Sequence, residues 1–284
     1  MPLSDPAVVL PESESIARSK RALATCVVVD SRQRDFSRDP TASAYRVQLP
    51  RIYHNVTAAR LIEAEIPSTA YLFAAALGNT SLTAVVGGTS AAITVPDGTY
   101  TAGALATALE AALAAAFPAY AFTVTVSNTT LIMSIACSPS ATIAVDTTAA
   151  LASPKMTDWG LAYYCGFPRG AVTQGTGAVS GTAAVNVNTT TYFLLSLGAA
   201  LDRTYAPGMY GQGGYLACFA KIPLNCDHGD IMYFDKQFFA NRLEPPIKRL
   251  EYLDVAVLAP DGSAAVLNGA EHSFTVELTC TDVV

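Results

Sequence analysis

The stretch LEYLDVAVLAPDGSAAVLNGAEHSFTVELTC, residues 250–280, decides the fold class. Leu250 to Leu258 is an apolar run of strand length, and Pro260-Asp261-Gly262 is a turn, since Pro presets its φ and Gly accepts a positive one. Ala265 to Leu267 reads as a short strand, Asn268-Gly269 as a second turn, and Ser273 to Cys280 as the closing strand. Short strands separated by turn signals at these intervals spell an antiparallel meander, the pattern of sandwiches and barrels.

The same signals recur towards the start of the chain. Ala24 to Val29 is a β-branched run that ends at the polar stretch Asp30 to Pro40. Tyr45, Val47 and Leu49 alternate with Arg46 and Gln48, which predicts a strand with one wet face. In Thr57 to Ile66, Ile62, Ala64 and Ile66 are expected on one face and Glu63 and Glu65 on the other, with Pro67 ending the strand. One helix stands out: Thr101 can cap a segment in which Leu105, Leu109 and Leu113 recur every four residues, and Pro118 stops it. Phe122 to Val126 and Leu131 to Ala136 then pair across a polar turn, with Ile143 and Val145 in a further strand, which makes a β-helix-β-β unit at about 90–167. Gly-rich stretches at about 170–181 and 207–214 read as surface loops between the strands Ala183 to Val187, Tyr192 to Leu197 and Tyr215 to Ile222. Residues 1–22 hold three prolines with Ser and Glu and show no periodicity, which suits an extended N-terminal arm. The expected architecture is therefore mainly β: an antiparallel, jelly-roll-like β-sandwich body over 23–284, with one short embedded α-helix and the arm.

Composition bounds the function. Hydrophobic residues make up 51% of the chain and charged residues only 14%, so much of the surface is neutral and suited to burial against neighbours. A GC-rich coding sequence would inflate Ala as well. The net charge of −6 argues against a nucleic-acid footprint. The most basic stretch, Arg18, Lys20 and Arg21, is followed by Arg32, Arg34 and Arg38, but Asp30, Asp35 and Asp39 interleave the second group. No apolar run is long enough for a membrane-spanning helix. Six scattered cysteines without a CxxC pair predict reduced, mostly buried thiols.

No catalytic or cofactor constellation emerges. His54, His228 and His272 lie far apart, outside any HExxH or GxSxG context. Cys218, Cys226, Asp227 and His228 are the nearest approach to a metal set, but the spacing is wrong for a zinc knuckle, and Cys218 reads as a core thiol. The expectation is a protein with no enzymatic activity, no metal and no cofactor. Tyr in Gly-rich loops supplies contact area with few rotors and a polar tip, so Tyr205, Tyr210 and Tyr215 are candidate interface residues. Glu63 and Glu65, two carboxylates on one strand face, are a solvated edge or a charged interface rather than a catalytic pair. Phe234 and Phe238 are expected in the core.

The order of several short motifs resembles virion structural proteins of the nucleocytoplasmic large DNA viruses, the giant-virus and phycodnavirus-like group. These are Val27-Val28-Val29-Asp30-Ser31-Arg32-Gln33-Arg34-Asp35, Tyr45-Arg46-Val47-Gln48-Leu49-Pro50, Asn55-Val56, Glu65-Ile66-Pro67, Pro96-Asp97-Gly98-Thr99-Tyr100-Thr101, Gly166-Phe167 with Cys165 in place of that family's Leu, and Gly269-Ala270-Glu271-His272-Ser273-Phe274. The resemblance implies a minor capsid protein that braces an icosahedral shell by binding the double jelly-roll major capsid protein and other minor capsid proteins. It also implies a virion location and assembly in the host cytoplasm. Self-association and contact with an internal virion membrane are compatible with it. A surface spike or host-attachment protein is the alternative.

Overall fold

The computed structural model describes residues 22–149, 159–188, 190–207, 215–235, 237 and 239–281; the expectations for residues 1–21, Tyr210 and Phe238 lie outside them. The chain is mainly β, with antiparallel sheets and few helices, in a sandwich-type arrangement. Among the described residues the strands enclose two large hydrophobic cores and one small cluster.

The first core belongs to a seven-stranded sheet. β1 (Ala22–Asp30) pairs with β16 (Ser273–Thr281), which pairs with β2 (Ala44–Pro67). The other edge of β2 takes β15 (Asn241–Leu258) and β14 (Ile231–Asp235), and β15 continues through β10 (Tyr192–Ser196) to β13 (Ala220–Pro223). These strands feed a single core, from Val27 and Val29 through Leu61, Ile66 and Leu253 to Phe274 and Val276.

β2 joins what the sequence divides into two strands, because its proline falls where no ladder bond is needed. Pairing with β15 jumps from Gln48↔Tyr252 to Tyr53↔Leu250, leaving Pro50 in a bulge. Opposite, the jump from Arg242↔Ala58 to Ile247↔Val56 takes Pro245 and Pro246 out of register. A third irregularity corrects the expected phase. The pairs Thr275↔Glu63 and Val276↔Leu61 leave Ile62 as the extra residue, so Leu61, Ala64 and Ile66 line the core and Ile62 is only half-buried.

The second core lies between the outgoing β2 and the returning β10. β3 (Ser81–Val86) and β4 (Thr89–Thr94) form a hairpin across Gly87-Gly88, and β3 also pairs with β7 (Thr142–Asp146), which pairs with β8 (Val172–Thr176). β5 (Ala121–Val126), β6 (Met133–Ser138) and β9 (Ala178–Ser180) make the other sheet. Helix α1 (Ala102–Ala116) starts where expected: the Thr101 hydroxyl accepts from the Ala104 amide at 3.1 Å. Leu105, Leu109 and Leu113 are fully buried, and Phe117 closes the end of the helix over the core.

Three local readings change. The Gly-rich stretch at 170–181 holds β8 and β9, because its glycine serves close approach rather than freedom: a Cβ on Gly175 would stand 2.0 Å from the Ala178 carbonyl. Ala183 to Val187 is not a strand; its backbone is held by Val185 N–H to Leu131 C=O and Asn186 N–H to Tyr164 C=O, both 2.8 Å. Ala265 to Leu267 forms no strand of its own, although Ala265 and Leu267 are buried in the first core.

A short helix, α2 (Gly160–Tyr164), closes with a paired C-terminal motif: the Gly166 amide donates to Tyr163 C=O and the Phe167 amide to Ala162 C=O, both at 3.0 Å. Gly166 has φ +86°, and a Cβ there would lie 2.1 Å from the Ala183 carbonyl. Gly166→Ala therefore combines left-handed strain with a backbone clash and is expected to cost at least about 2 kcal/mol, read as a lowered denaturation midpoint. Gly103→Ala, on α1 with nothing near its Cβ, is the control, expected unchanged or slightly stabilised.

Candidate interaction surfaces and a buried motif clasp

β11 (Thr204–Pro207) and β12 (Tyr215–Cys218) form a hairpin whose two faces differ. Ala206, Leu216 and Cys218 turn inwards and pack on Leu194, Tyr192 and Leu258. Because side chains alternate, Tyr205, paired with Ala217, and Tyr215, paired with Pro207, share the outer face as diagonal neighbours. Tyr205 is 63% and Tyr215 71% exposed, so two phenol rings stand on a strand pair backed by core residues. Of the expected tyrosine trio, these two are brought together.

Glu63 and Glu65 occupy the outer face of β2. Glu63 accepts from the Thr275 hydroxyl at 2.8 Å and Glu65 from the Ser273 hydroxyl at 3.0 Å. On the other side, Asp235 pairs with Glu63 and Tyr233 with Glu65. Three carboxylates thus flank Tyr233, whose phenol is pushed up first by desolvation and then by Glu63, Asp235 and Glu65. Ile231, 65% exposed and two residues before Tyr233 on β14, extends this strip as an apolar fringe. The sequence alone picks out the two glutamates; only the pairing of β14 with β2 adds Tyr233 and Asp235.

The candidate metal set does not converge on an open site. Cys218 is fully buried beneath the tyrosine hairpin, and burial pushes its thiol up to about 11. Cys226, Asp227 and His228 sit in the loop after β13, where the His228 ring meets Tyr71 at 6.3 Å and its Nδ1 lies 3.3 Å from Thr99 Oγ1. No helix of the described residues is long and apolar enough to cross a membrane.

The motif blocks 30–35 and 269–274 are bound to each other. The Arg34 side chain, 4% exposed, forms an ion pair with Glu271 and donates to the carbonyls of Ser31 (2.7 Å), Asp39 (2.9 Å) and Pro40 (3.3 Å). The Ser31 hydroxyl donates to Glu271 at 2.5 Å and accepts from the His272 amide at 2.8 Å. The His272 Nε2–H donates to Ala42 C=O at 2.9 Å, which leaves the buried Nδ1 without a partner. Polar residues from a loop and a hairpin end, far apart in sequence, thus form one network that pins the exit of β1 to the entry of β16. Pairwise motif reading could not show this, since neither block announces its partner.

The clasp is acid-sensitive. Burial lowers the His272 imidazole below its ordinary 6.5, with Arg34 acting the same way and Ala42, Glu271 and Asp30 opposing. The Arg34 hydrogen bond, aided by Ser31, holds Glu271 below its ordinary 4.5 against desolvation. The unfolded chain takes up the histidine proton first, so stability is full above about pH 6.5 and falls as pH drops below it; protonation of Glu271 adds a second loss below about pH 4.5. Thermal melts should show a midpoint that declines from about pH 7 to about pH 5. His272→Gln, whose amide can still donate to Ala42, should flatten that window and keep the decline below it.

Three comparisons bear on kinship. A family model described as a family of unknown function (DUF5901) matches residues 15–154, from before β1 into the second core. No curated protein matches the sequence. Among solved structures, the chain is similar to the mavirus penton protein, at 8% identity over 93% of this chain and 100% of that one, with a TM-score of 0.49. It is also similar to a chain of the Sputnik virophage structure, at 9% identity over 91% of this chain and 98% of that one, with a TM-score of 0.47.

Proposed function

We propose that this chain is a non-enzymatic structural component of the icosahedral shell of a large double-stranded DNA virus, a minor capsid protein that braces major capsid capsomers and neighbouring minor proteins. The observation that carries the reading is the clasp. Two of the blocks that resemble virion structural proteins engage Ser31, Arg34, Glu271 and His272 with one another inside the fold, so these four residues are fold determinants rather than reactive groups. The exposed material left over is suited to contact: the paired Tyr205 and Tyr215, the Tyr233 strip with its acidic flank, and the outer edge of β1, where Val28 is 71% exposed. Residues 1–21, ahead of β1, act as an arm laid on a neighbouring subunit.

Replacing Tyr205 and Tyr215 together with Ser removes contact area without touching the core. The fold should survive, read as an unchanged melting midpoint, while incorporation into purified particles falls at least about tenfold. Normal incorporation would remove the hairpin from the interface. Protease applied to intact particles separates bracing from host attachment: a brace within the shell resists cleavage, and a spike is cut in its loops.

A further inference from the structure

A cavity of about 450 Å³ opens where the chain passes twice between its two large cores, lined by Ser68, Tyr71 and Leu72 on the outward pass and by Asn188, Thr190 and Thr191 on the return. The size is that of a pocket for a small ligand or a pair of side chains. It is lined by Leu72, Leu224 and the rings of Tyr71 and Tyr100, together with the exposed side chains of Asp97, Asp227 and His228, so that its acidic groups lie on the solvent side. Neither Lys nor Arg lines it among the described residues. Its geometry is fixed from below: Asp97 accepts from the Ala75 amide at 2.9 Å, Tyr100 donates to Pro96 C=O at 2.5 Å, and Asn268 donates to Thr69 C=O at 2.6 Å. Apolar walls under an acidic rim suit a long aliphatic stem with a cationic head, and tyrosine rings add attraction for that head.

We infer that this cavity receives basic side chains from the segment Arg18-Ser19-Lys20-Arg21 of a second copy of the chain. The choice of occupant rests on charge and on reach. Residues 1–17 contain no Lys or Arg, so the basic charge of the arm is confined to Arg18, Lys20 and Arg21, next to the start of β1. Leu23 lies level with Val56 through Cys280, and Ser68 is twelve residues further along the β2 path, roughly 40 Å at strand rise. From Ala22 back to Arg18 the backbone spans about 14 Å at full extension, and a side chain adds about half as much again. A chain's own basic cluster falls short of its own cavity, so the occupant is assigned to a second copy. The inference rests on the reading of residues 1–21 as a docking arm and assigns that arm a receptor.

The test is a titration of the full chain, kept dilute, with a synthetic peptide of residues 12–24, followed by amide chemical shifts. Saturable shifts at Tyr71, Thr99 and Leu224 are expected. Affinity should fall at least about tenfold when Arg18, Lys20 and Arg21 of the peptide are replaced by Gln. It should fall similarly in the Asp97→Asn/Asp227→Asn protein, where the amide oxygen of the substituted side chain at position 97 can still accept from Ala75. It should fall again on raising salt from about 50 to about 500 mM, which shortens the screening length roughly threefold. Equal binding of the neutral peptide, or indifference to the Asp substitutions, overturns the assignment. Shifts confined to Glu63, Glu65 and Tyr233, or to the β1 edge, overturn this receptor but leave a docking arm in place. Absence of peptide binding, together with normal shell assembly after deletion of residues 1–21, overturns both.

Discussion

Arg34→Met is expected to lose about 3–5 kcal/mol of stability. The side chain is 4% exposed and serves four acceptors at once: Glu271 and the carbonyls of Ser31, Asp39 and Pro40. Methionine matches the stem in bulk but leaves the Glu271 carboxylate with the Ser31 hydroxyl alone and takes the guanidinium donor from the carbonyls of Ser31, Asp39 and Pro40, and that loss of compensated polarity dominates the cost. Arg34→Lys should recover little, because one ammonium cannot span acceptors arranged for a planar fork. Chemical denaturation gives the check. A loss below about 1 kcal/mol would mean that the network is incidental to the fold.

Phe73→Ala is expected to cost about 3–5 kcal/mol, this time by opening a void. Phe73 is fully buried, meets Tyr100 and Tyr164 edge-on at 5.7 Å, and exchanges both backbone bonds with Gly98 at 2.8 and 3.0 Å. The loss falls on the second core and also frees the Tyr100 ring, so binding of the basic peptide should weaken with stability. Hydrogen exchange should show amides of α1 and β3 opening sooner, while those of β1 and β16, which pack in the other core, change less.

Elements whose register depends on local chemistry were legible in the sequence. The Thr101 cap, the leucine spacing of α1 and the closing strand at Ser273 all stand where alternation and turn residues put them. Errors arose where long-range pairing overrides local pattern. Tyr45 to Leu49 and Thr57 to Ile66 read as two strands but are one, with Pro50 in a bulge, and Ile62 yields its place to Leu61 because of the register shift against β16 there. Gly175 reads as loop but marks two backbones in contact. Phe219 splits the run Tyr215 to Ile222, so that β12 joins the tyrosine hairpin while β13 joins the main sheet. Of the candidate surface residues, exposure of Tyr205 and Tyr215 followed from their neighbours in sequence, but their adjacency required the hairpin register. The clasp and the cavity were beyond sequence reading, since each is assembled from segments distant along the chain.

Quantitative mass spectrometry of virus particles purified from infected cells that express this chain addresses the proposal most directly. The account predicts a fixed molar ratio of this chain to the major shell protein, maintained through successive density gradients and high-salt washes. Particles that complete assembly, remain infectious and contain none of it would contradict the account.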